Sequence, residues 1–190
     1  MTFLSSLLAA ISVRAQQPAK APVHVGWHDE FDRPYEWKHL GVANKPNLDW
    51  SKPGLLGLAL TRVPFDWPYQ YQWSGVTKTA TIEVLHHPVL VANVTSLSGY
   101  AHLDVDVLDE KDKLLVQLRS NTLQAPGVCS INLGEHMFSG TYTFRIRLIV
   151  GGPNSGCNAT YDWIRVTSVE DRDRLTADPN LPFITEPSSL

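Results

Sequence analysis

Short runs in which apolar and polar residues alternate are the feature that most constrains this chain, and they extend from Val23 to Val166. The clearest examples are Ala80–Val84, Ala101–Val107, Tyr142–Leu148 and Asp162–Val166. Turn-forming pairs such as Ser98-Gly99, Pro126-Gly127 and Ser139-Gly140 separate the runs. Alternation with period two predicts half-buried strands, about nine in number, and no long helix interrupts them. The pattern therefore predicts an all-β fold, a two-sheet antiparallel β-sandwich of the jelly-roll type.

Charge and cysteine content exclude several classes of function. The chain has 190 residues, 16 Lys and Arg against 19 Asp and Glu, and a formal charge of −3. A nucleic-acid partner would favour a basic surface, so none is expected. The 2 cysteines are too few for a disulfide-dense scaffold or a four-cysteine metal centre.

The two ends differ in composition from the alternating body. Residues 1–15 carry a short apolar stretch that precedes Val13-Arg14-Ala15, a pattern typical of a signal peptide cleaved before Gln16. A short buried helix is the alternative, and the stretch is too short to span a membrane. Residues 16–22 are expected to be a linker, 23–170 the domain and 171–190 a C-terminal tail.

A signal peptide implies a secreted or extracellular protein, with the periplasm as a second possibility. In such oxidising compartments Cys129 and Cys157 are expected to form a disulfide, and two buried thiols are the alternative.

Large aromatic residues alternate with polar ones in one Pro-containing segment, and they are Trp67, Tyr69, Tyr71 and Trp73. Aromatic rings stack on the apolar face of a sugar, while polar side chains bind its hydroxyl groups. The segment is therefore a candidate glycan-binding surface. Alternatively, these rings fill one end of the sandwich.

Polar residues share one face on three further runs, and they are Tyr100, His102, Asp104 and Asp106, then Gln117 and Arg119, then Arg145 and Arg147. If the three runs lie in one sheet, they form a continuous polar surface. Tyr100, His102 and Gln117 would then supply hydrogen bonds to a sugar. An ordinary solvated sheet face with weak ion pairs is the alternative.

Several segments in order resemble the galactose-binding-domain-like group of secreted carbohydrate-binding modules. The segments are Trp27–Asp32, Gly99–Val105, Leu115–Leu118, Ser139–Leu148 and Tyr161–Val166. The resemblance implies a jelly roll that binds a polysaccharide or glycan without catalysis, often with a structural calcium ion.

Alternation places Asp29 and Asp162 on faces that otherwise carry apolar residues, where a carboxylate needs a counter-charge. With Glu30 they form a set of oxygen ligands of the kind that calcium prefers. The resemblance implies calcium at this place. Pairing of Asp162 with an arginine or with backbone N–H groups is the alternative.

Two other functions remain open from the sequence. A small carbohydrate-active enzyme could use Asp104 and Asp106, about 7 Å apart on one strand face, as the two carboxylates of a glycosidase. A polysaccharide lyase could use His102 or Tyr100 as a base beside the arginines. The other function is that of a structural or protein-binding domain in a surface complex.

Overall fold

The computed structural model describes residues 20–40, 47–60, 72–109, 111–136, 140–152 and 156–186. The predicted signal peptide and the first four residues of the predicted linker lie outside these ranges. The described chain forms an all-β sandwich, in which two sheets pack face to face.

The first sheet contains seven strands. They are β1 (Val23–Asp29), β3 (Asn47–Asp49), β4 (Leu56–Ala59), β6 (Val89–Ser98), β9 (Gly127–Asn132), β11 (Asn158–Thr167) and β12 (Phe183–Thr185). The second sheet contains β2 (Lys38–His39), β5 (Gln72–Glu83), β7 (Tyr100–Leu108), β8 (Leu114–Arg119) and β10 (Thr141–Gly152). One α-helix, α1 (Val169–Ala177), and two single 3₁₀ turns, Pro34–Glu36 and Leu133–Glu135, complete the described elements.

Strand order identifies the sandwich as a jelly roll. In the first sheet β4 pairs with β11, β11 with β6, and β6 with β9. In the second sheet the order is β2-β5-β10-β7-β8. From β4 to β11 successive strands therefore cross between the sheets, apart from the β7–β8 hairpin, and this gives the two interlocked Greek keys of a jelly roll. All described pairings are antiparallel except that of β1 with β12.

The core lies between the sheets, where the apolar residues of each alternating run meet. Leu103, Val105, Phe144 and Ile146 of the second sheet are fully buried, as is Ile164 of the first. The sequence prediction of an all-β sandwich is confirmed, because one side of each strand supplies this core and the other side does not.

Two irregularities shift the predicted alternation in the first sheet. The register slips between Val25 and Trp27 in β1 and between Tyr161 and Trp163 in β11. As a result Val25 belongs to a separate cluster outside the sandwich, whereas Trp27 packs on the core between the sheets. Strict alternation would place Val25 and Trp27 on one face, but an extra residue in a strand reverses the direction of every side chain beyond it.

The chain continues as packed structure beyond the predicted domain boundary at residue 170. Ser168 caps α1, since its Oγ accepts a hydrogen bond from the Asp171 backbone N–H at 3.1 Å. Leu175 of α1 is fully buried and Leu181 is 8% exposed. These leucines join an apolar cluster on the outer side of the first sheet, which also contains Val23, Val25, Val89, Val91 and Trp163. Residues 171–185 therefore cover one outer face of the sandwich.

The predicted disulfide between Cys129 and Cys157 is not formed. Cys129 lies opposite Ala92, whereas Asn158, the residue after Cys157, lies opposite Ser98. Ala92 and Ser98 are six residues apart in β6, or about 20 Å along the strand. A disulfide joins Cα atoms no more than about 7 Å apart, so the strand register keeps these two cysteines from pairing with each other.

Candidate functional site

The second sheet carries its polar side chains on the face opposite the core. The outer face of the first sheet is covered in part by α1 and Leu181, through the apolar cluster around Leu175. The corresponding face of the second sheet carries Arg119, Arg145 and Gln117 with much of their side chains exposed. This face therefore presents accessible polar groups to a ligand.

Strand register brings the predicted polar residues together on this face. β10 lies between β5 and β7, and it places Arg147 opposite Asp104 and Arg145 opposite Asp106. β8 completes the surface, because Arg119 lies opposite Asp104 and Gln117 opposite Asp106. Register partners in a sheet point to the same side, so the prediction of one continuous polar surface is confirmed.

One end of this surface forms an open basin with a volume of about 270 Å³. Six of its lining residues are Trp73 from β5, Tyr100, His102 and Asp104 from β7, and Gln117 and Arg119 from β8. Arg147 and Ile149 of β10 also line it. Sites that enclose a whole drug-sized ligand measure about 300–1,000 Å³, so the basin has room for part of a larger ligand.

Ion pairs fix the charged groups of the basin. Arg119 donates from Nε and Nη2 to the two carboxylate oxygens of Asp104 at 2.8 and 3.0 Å. Arg147 donates from Nη2 to Asp106 Oδ1 at 2.6 Å, and Gln117 donates from Nε2 to the same oxygen at 3.0 Å. Both aspartates are nearly buried, at 4% and 7% exposure. The arginines thus supply the counter-charges that buried carboxylates need.

These contacts set the ionisation of Asp104. Burial alone would raise the pKa of its carboxyl group, but the neighbouring His102 and Arg119 outweigh burial and hold the pKa well below its ordinary value. The pKa of Arg119 is raised in turn, mainly by its hydrogen bond to Asp104. Asp104 is therefore a carboxylate at neutral pH.

His102 lies in the basin with both ring nitrogens buried. Its residue exposure is 5%, and neither nitrogen has a hydrogen-bond partner among the described residues. Nε2 is 3.6 Å from Asp104 Oδ1, beyond the range of a normal hydrogen bond. The ring stacks on Tyr100, with centroids 5.8 Å apart and planes inclined by 9°. An acceptor or donor on a ligand would satisfy these nitrogens.

Four of the seven residues predicted to bind a sugar line the basin, and they are Trp73, Tyr100, His102 and Gln117. Trp73 is 45% exposed. Trp67, Tyr69 and Tyr71 lie outside the described residues. The prediction did not include Ile149, which is apolar, nor Asp104, Arg119 and Arg147 as sugar contacts. In the sequence these residues occupy the same alternate positions as the predicted polar residues of their strands. Only the strand register shows which of them lie around Tyr100.

The three residues predicted to bind calcium each bind different protein groups. Asp29 accepts hydrogen bonds from the Phe31 backbone N–H, Trp37 Nε1 and Lys78 Nζ, the last at 2.7 Å. Lys78 also pairs with Glu36. The ammonium group thus provides Asp29 with a positive charge.

Glu30 binds Arg165 instead, at 3.1 Å from Nε. Asp162, at the irregularity in β11, accepts from Asn93 Nδ2 at 3.3 Å. In the part of the chain that the structure describes, no three His, Cys, Asp or Glu side chains are grouped to hold a metal ion. Calcium therefore stays a prediction from sequence.

Comparison with protein-family models finds none that matches this chain, and comparison with curated proteins finds no significant match. None of the helices in the described ranges is long and apolar enough to cross a membrane.

Proposed function

We propose that this protein binds a glycan in the basin on the second sheet, without catalysing a reaction. The observation that carries the proposal is that Trp73, Tyr100, His102 and Gln117 line one basin. The sequence predicts a sugar-binding role for all four, although they lie up to 44 positions apart along the chain.

The chemistry of the lining supports a sugar ligand. Trp73 offers an exposed indole ring at the edge, where the apolar face of a sugar can stack. Arg119, Gln117 and His102 place hydrogen-bonding groups beside it, where the hydroxyl groups of the same sugar would lie. An open basin also suits a polymer, because a long chain can enter and leave at its ends.

The ion pairs favour binding over hydrolysis. A glycosidase needs one protonated carboxyl group as a general acid, and such groups have raised pKa values. Asp104 lines the basin and Asp106 lies beside it, and each is bound by an arginine. The pKa of Asp104 is lowered, against the effect of its burial, by His102 and Arg119. It therefore lacks the proton that such a reaction requires.

A panel of soluble glycans tests the proposal by titration calorimetry. Trp73→Ala should weaken binding about tenfold or more, since truncating an aromatic anchor costs about 1–3 kcal/mol. Tyr35→Ala is the matched control, because Tyr35 is 76% exposed and lies outside the basin. Equal affinities for the parent and Trp73→Ala would refute the assignment of glycan binding to this basin. Release of new sugar ends during incubation would refute the absence of catalysis.

A further inference from the structure

We infer that the glycan bound in the basin is acidic, and that its carboxylate or sulfate groups are held by Arg119, Arg147 and His102. This inference rests on the proposed glycan binding and specifies the class of glycan. It follows from three properties of the polar face, which are its excess of cations, its unused donors and its shortage of free acceptors.

Cations outnumber carboxylates on this face. Arg119, Arg145 and Arg147 form one network with Asp104 and Asp106, which leaves one positive charge over. Lys38 adds another and Glu83 offsets one, because Glu83 shares the strand parity of Thr77 and Thr79 in β5. The protein as a whole carries a charge of −3. The positive excess is therefore local to the face that carries the basin.

Hydrogen-bond donors in the basin remain unused. Arg119 employs Nε and Nη2 on Asp104, and its side chain is 62% exposed, which leaves the other guanidinium N–H groups open to a ligand. Arg147 has a buried Nε with no hydrogen-bond partner among the described residues. His102 adds two buried nitrogens without a hydrogen-bond partner among the described residues, of which at least one carries an N–H group. Buried polar groups nearly always have partners in folded proteins, so these groups point to a ligand rich in acceptors.

The carboxylate oxygens in and beside the basin already accept hydrogen bonds. Both oxygens of Asp104 accept hydrogen bonds from Arg119. Asp106 Oδ1 accepts hydrogen bonds from Arg147 and Gln117. The hydroxyl groups of a neutral sugar both donate and accept, so they would compete for these few acceptors. A carboxylate or sulfate only accepts, and an arginine fork binds such a group through two parallel hydrogen bonds. The basin therefore suits an acid group better than a further hydroxyl.

The same face continues toward a second depression, which suits a chain of acidic sugars. Thr77 is the register partner of Arg147, and it lines this depression with Lys38, Thr79 and Arg145 and with the ion pair of Lys78 and Glu36. Arg145 and Arg147 are two residues apart in β10, or about 7 Å along the strand. Positive side chains thus recur along the path that a polymer would take from the basin.

The test compares each acidic glycan with its own neutral form. One pair is an oligouronate and its carboxyl-reduced form, and the other is a sulfated oligosaccharide and its desulfated form. In at least one pair the acidic member should bind about tenfold tighter or better, and its affinity should fall as salt is added. The pair that responds shows whether carboxylate or sulfate is the group recognised.

Variants assign the effect to the basin. Arg119→Gln and Arg147→Gln should each weaken binding of the acidic member about tenfold, and each should reduce the preference for the acidic over the neutral member. Arg119→Lys keeps the positive charge but lacks the planar guanidinium group that donates two parallel hydrogen bonds. Its affinity for the acidic member should therefore lie between those of Arg119→Gln and the parent. Arg172→Gln on α1 is the matched control, because Arg172 lies on the opposite side of the sandwich and should have no effect. Thermal melting of each variant confirms that it folds.

The outcomes separate this inference from the function on which it rests. Equal binding of the acidic and neutral members, with loss in Trp73→Ala, would overturn the acidic class and leave glycan binding standing. Absence of binding to either member and to every glycan of the panel would overturn both. Acid-selective binding that survives in Arg119→Gln and Arg147→Gln would overturn the assignment to these residues.

Discussion

Arg119 and Asp104 face each other across β8 and β7, and the guanidinium group holds both carboxylate oxygens of Asp104 at 2.8 and 3.0 Å. Asp104 is nearly buried, whereas Arg119 reaches into solvent. This ion pair therefore joins Asp104 at the floor of the basin to Arg119 at its open edge, across two neighbouring strands.

Asp104→Asn should lower the free energy of unfolding by about 1–3 kcal/mol at pH 7, because it removes the charge that Arg119 and Arg147 surround. Burial raises the pKa of Asp104, but His102 and Arg119 lower it more, so it lies below its ordinary value of 3.8. A carboxyl group with a lowered pKa stabilises the fold above that ordinary value, and the stabilisation is lost as pH falls toward the folded-state pKa. Urea unfolding at several pH values should therefore show the difference from the parent narrowing below about pH 4.

Asp112→Asn is the control for this pH series. Asp112 is exposed in a turn with a φ of 59°, a conformation that asparagine adopts readily. The control should change stability by no more than about 0.5 kcal/mol. A difference between the parent and Asp104→Asn that stays constant from pH 7 to pH 3 would contradict the stabilising role of the ionised carboxylate.

Lys78 should stabilise the sandwich through Asp29 and Glu36. Lys78→Met leaves the Asp29 carboxylate without its ammonium partner, and we expect a loss of about 3 kcal/mol at pH 7. Burial lowers the pKa of Lys78, but Asp29 and Glu36 raise it further, to above 10.5. The stabilisation is complete below pH 10.5 and is lost as pH rises through the folded-state pKa. Thermal melting at pH 7 and above pH 10.5 measures both effects, and Lys52→Met, at an exposed lysine, is the control.

The same ion pair gives an expected result for calcium. Since Lys78 already supplies the counter-charge of Asp29, we expect neither EDTA nor added Ca²⁺ to change the melting temperature of the parent. A bound ion would raise that temperature by mass action. A rise with Ca²⁺ that EDTA reverses and Asp29→Asn abolishes would instead support the calcium site predicted from the sequence.

Cys129 should be a thiol that reagents reach only after unfolding. Burial raises its pKa to about 11, although hydrogen bonds, first among them that with Ser120, act in the opposite direction. Iodoacetamide reacts with thiolates, so labelling of the Cys129 peptide at pH 8 should be slow in buffer and rapid in urea. Cys157→Ser should not alter either rate. Recovery of the Cys129 peptide in disulfide linkage with the Cys157 peptide, after digestion without reductant, would contradict the strand register.

The sequence was sufficient for the sandwich because alternation reports burial directly. The runs Ala101–Val107 and Tyr142–Leu148 coincide with parts of β7 and β10, and their apolar positions form the core. Alternation cannot locate an extra residue in a strand, so the slips after Val25 and Tyr161 were missed. The slip in β1 separates Val25 from the face of Trp27, and the slip in β11 lies at Asp162. The predicted grouping of Asp29 with Asp162 assumed unbroken alternation in both strands.

The candidate site was predictable only in part, because its residues come from four strands. Parity placed Tyr100, His102 and Asp104 on one face, but the pairing of β7 with β10 decides that Arg147 and Ile149 lie beside them. The short helix α1 escaped prediction for a different reason. Its nine residues contain a single fully buried apolar side chain, Leu175, and one such position makes no periodic pattern.

Leu175 therefore provides the test of whether residues 171–185 are part of the fold. Its side chain is fully buried against the outer side of the first sheet, in the cluster that includes Val25, Val91 and Trp163. Leu175→Ala should lower the free energy of unfolding by about 2–5 kcal/mol, through lost burial and the cavity that remains. Val169→Ala in the same helix is the control, because Val169 is 42% exposed and should contribute no more than about 0.5 kcal/mol.

Removal of all residues after Ser168 extends this test to the whole segment. Truncation exposes Val25, Val91 and Trp163, so the shortened chain should melt at a lower temperature and bind a hydrophobic dye that the parent does not bind. The basin lies on the other sheet, so a truncated chain that still folds should retain glycan binding. If the truncated chain and Leu175→Ala both unfold at the same urea concentration as the parent, residues 171–190 form a tail, as the sequence predicts, and they contribute nothing to stability.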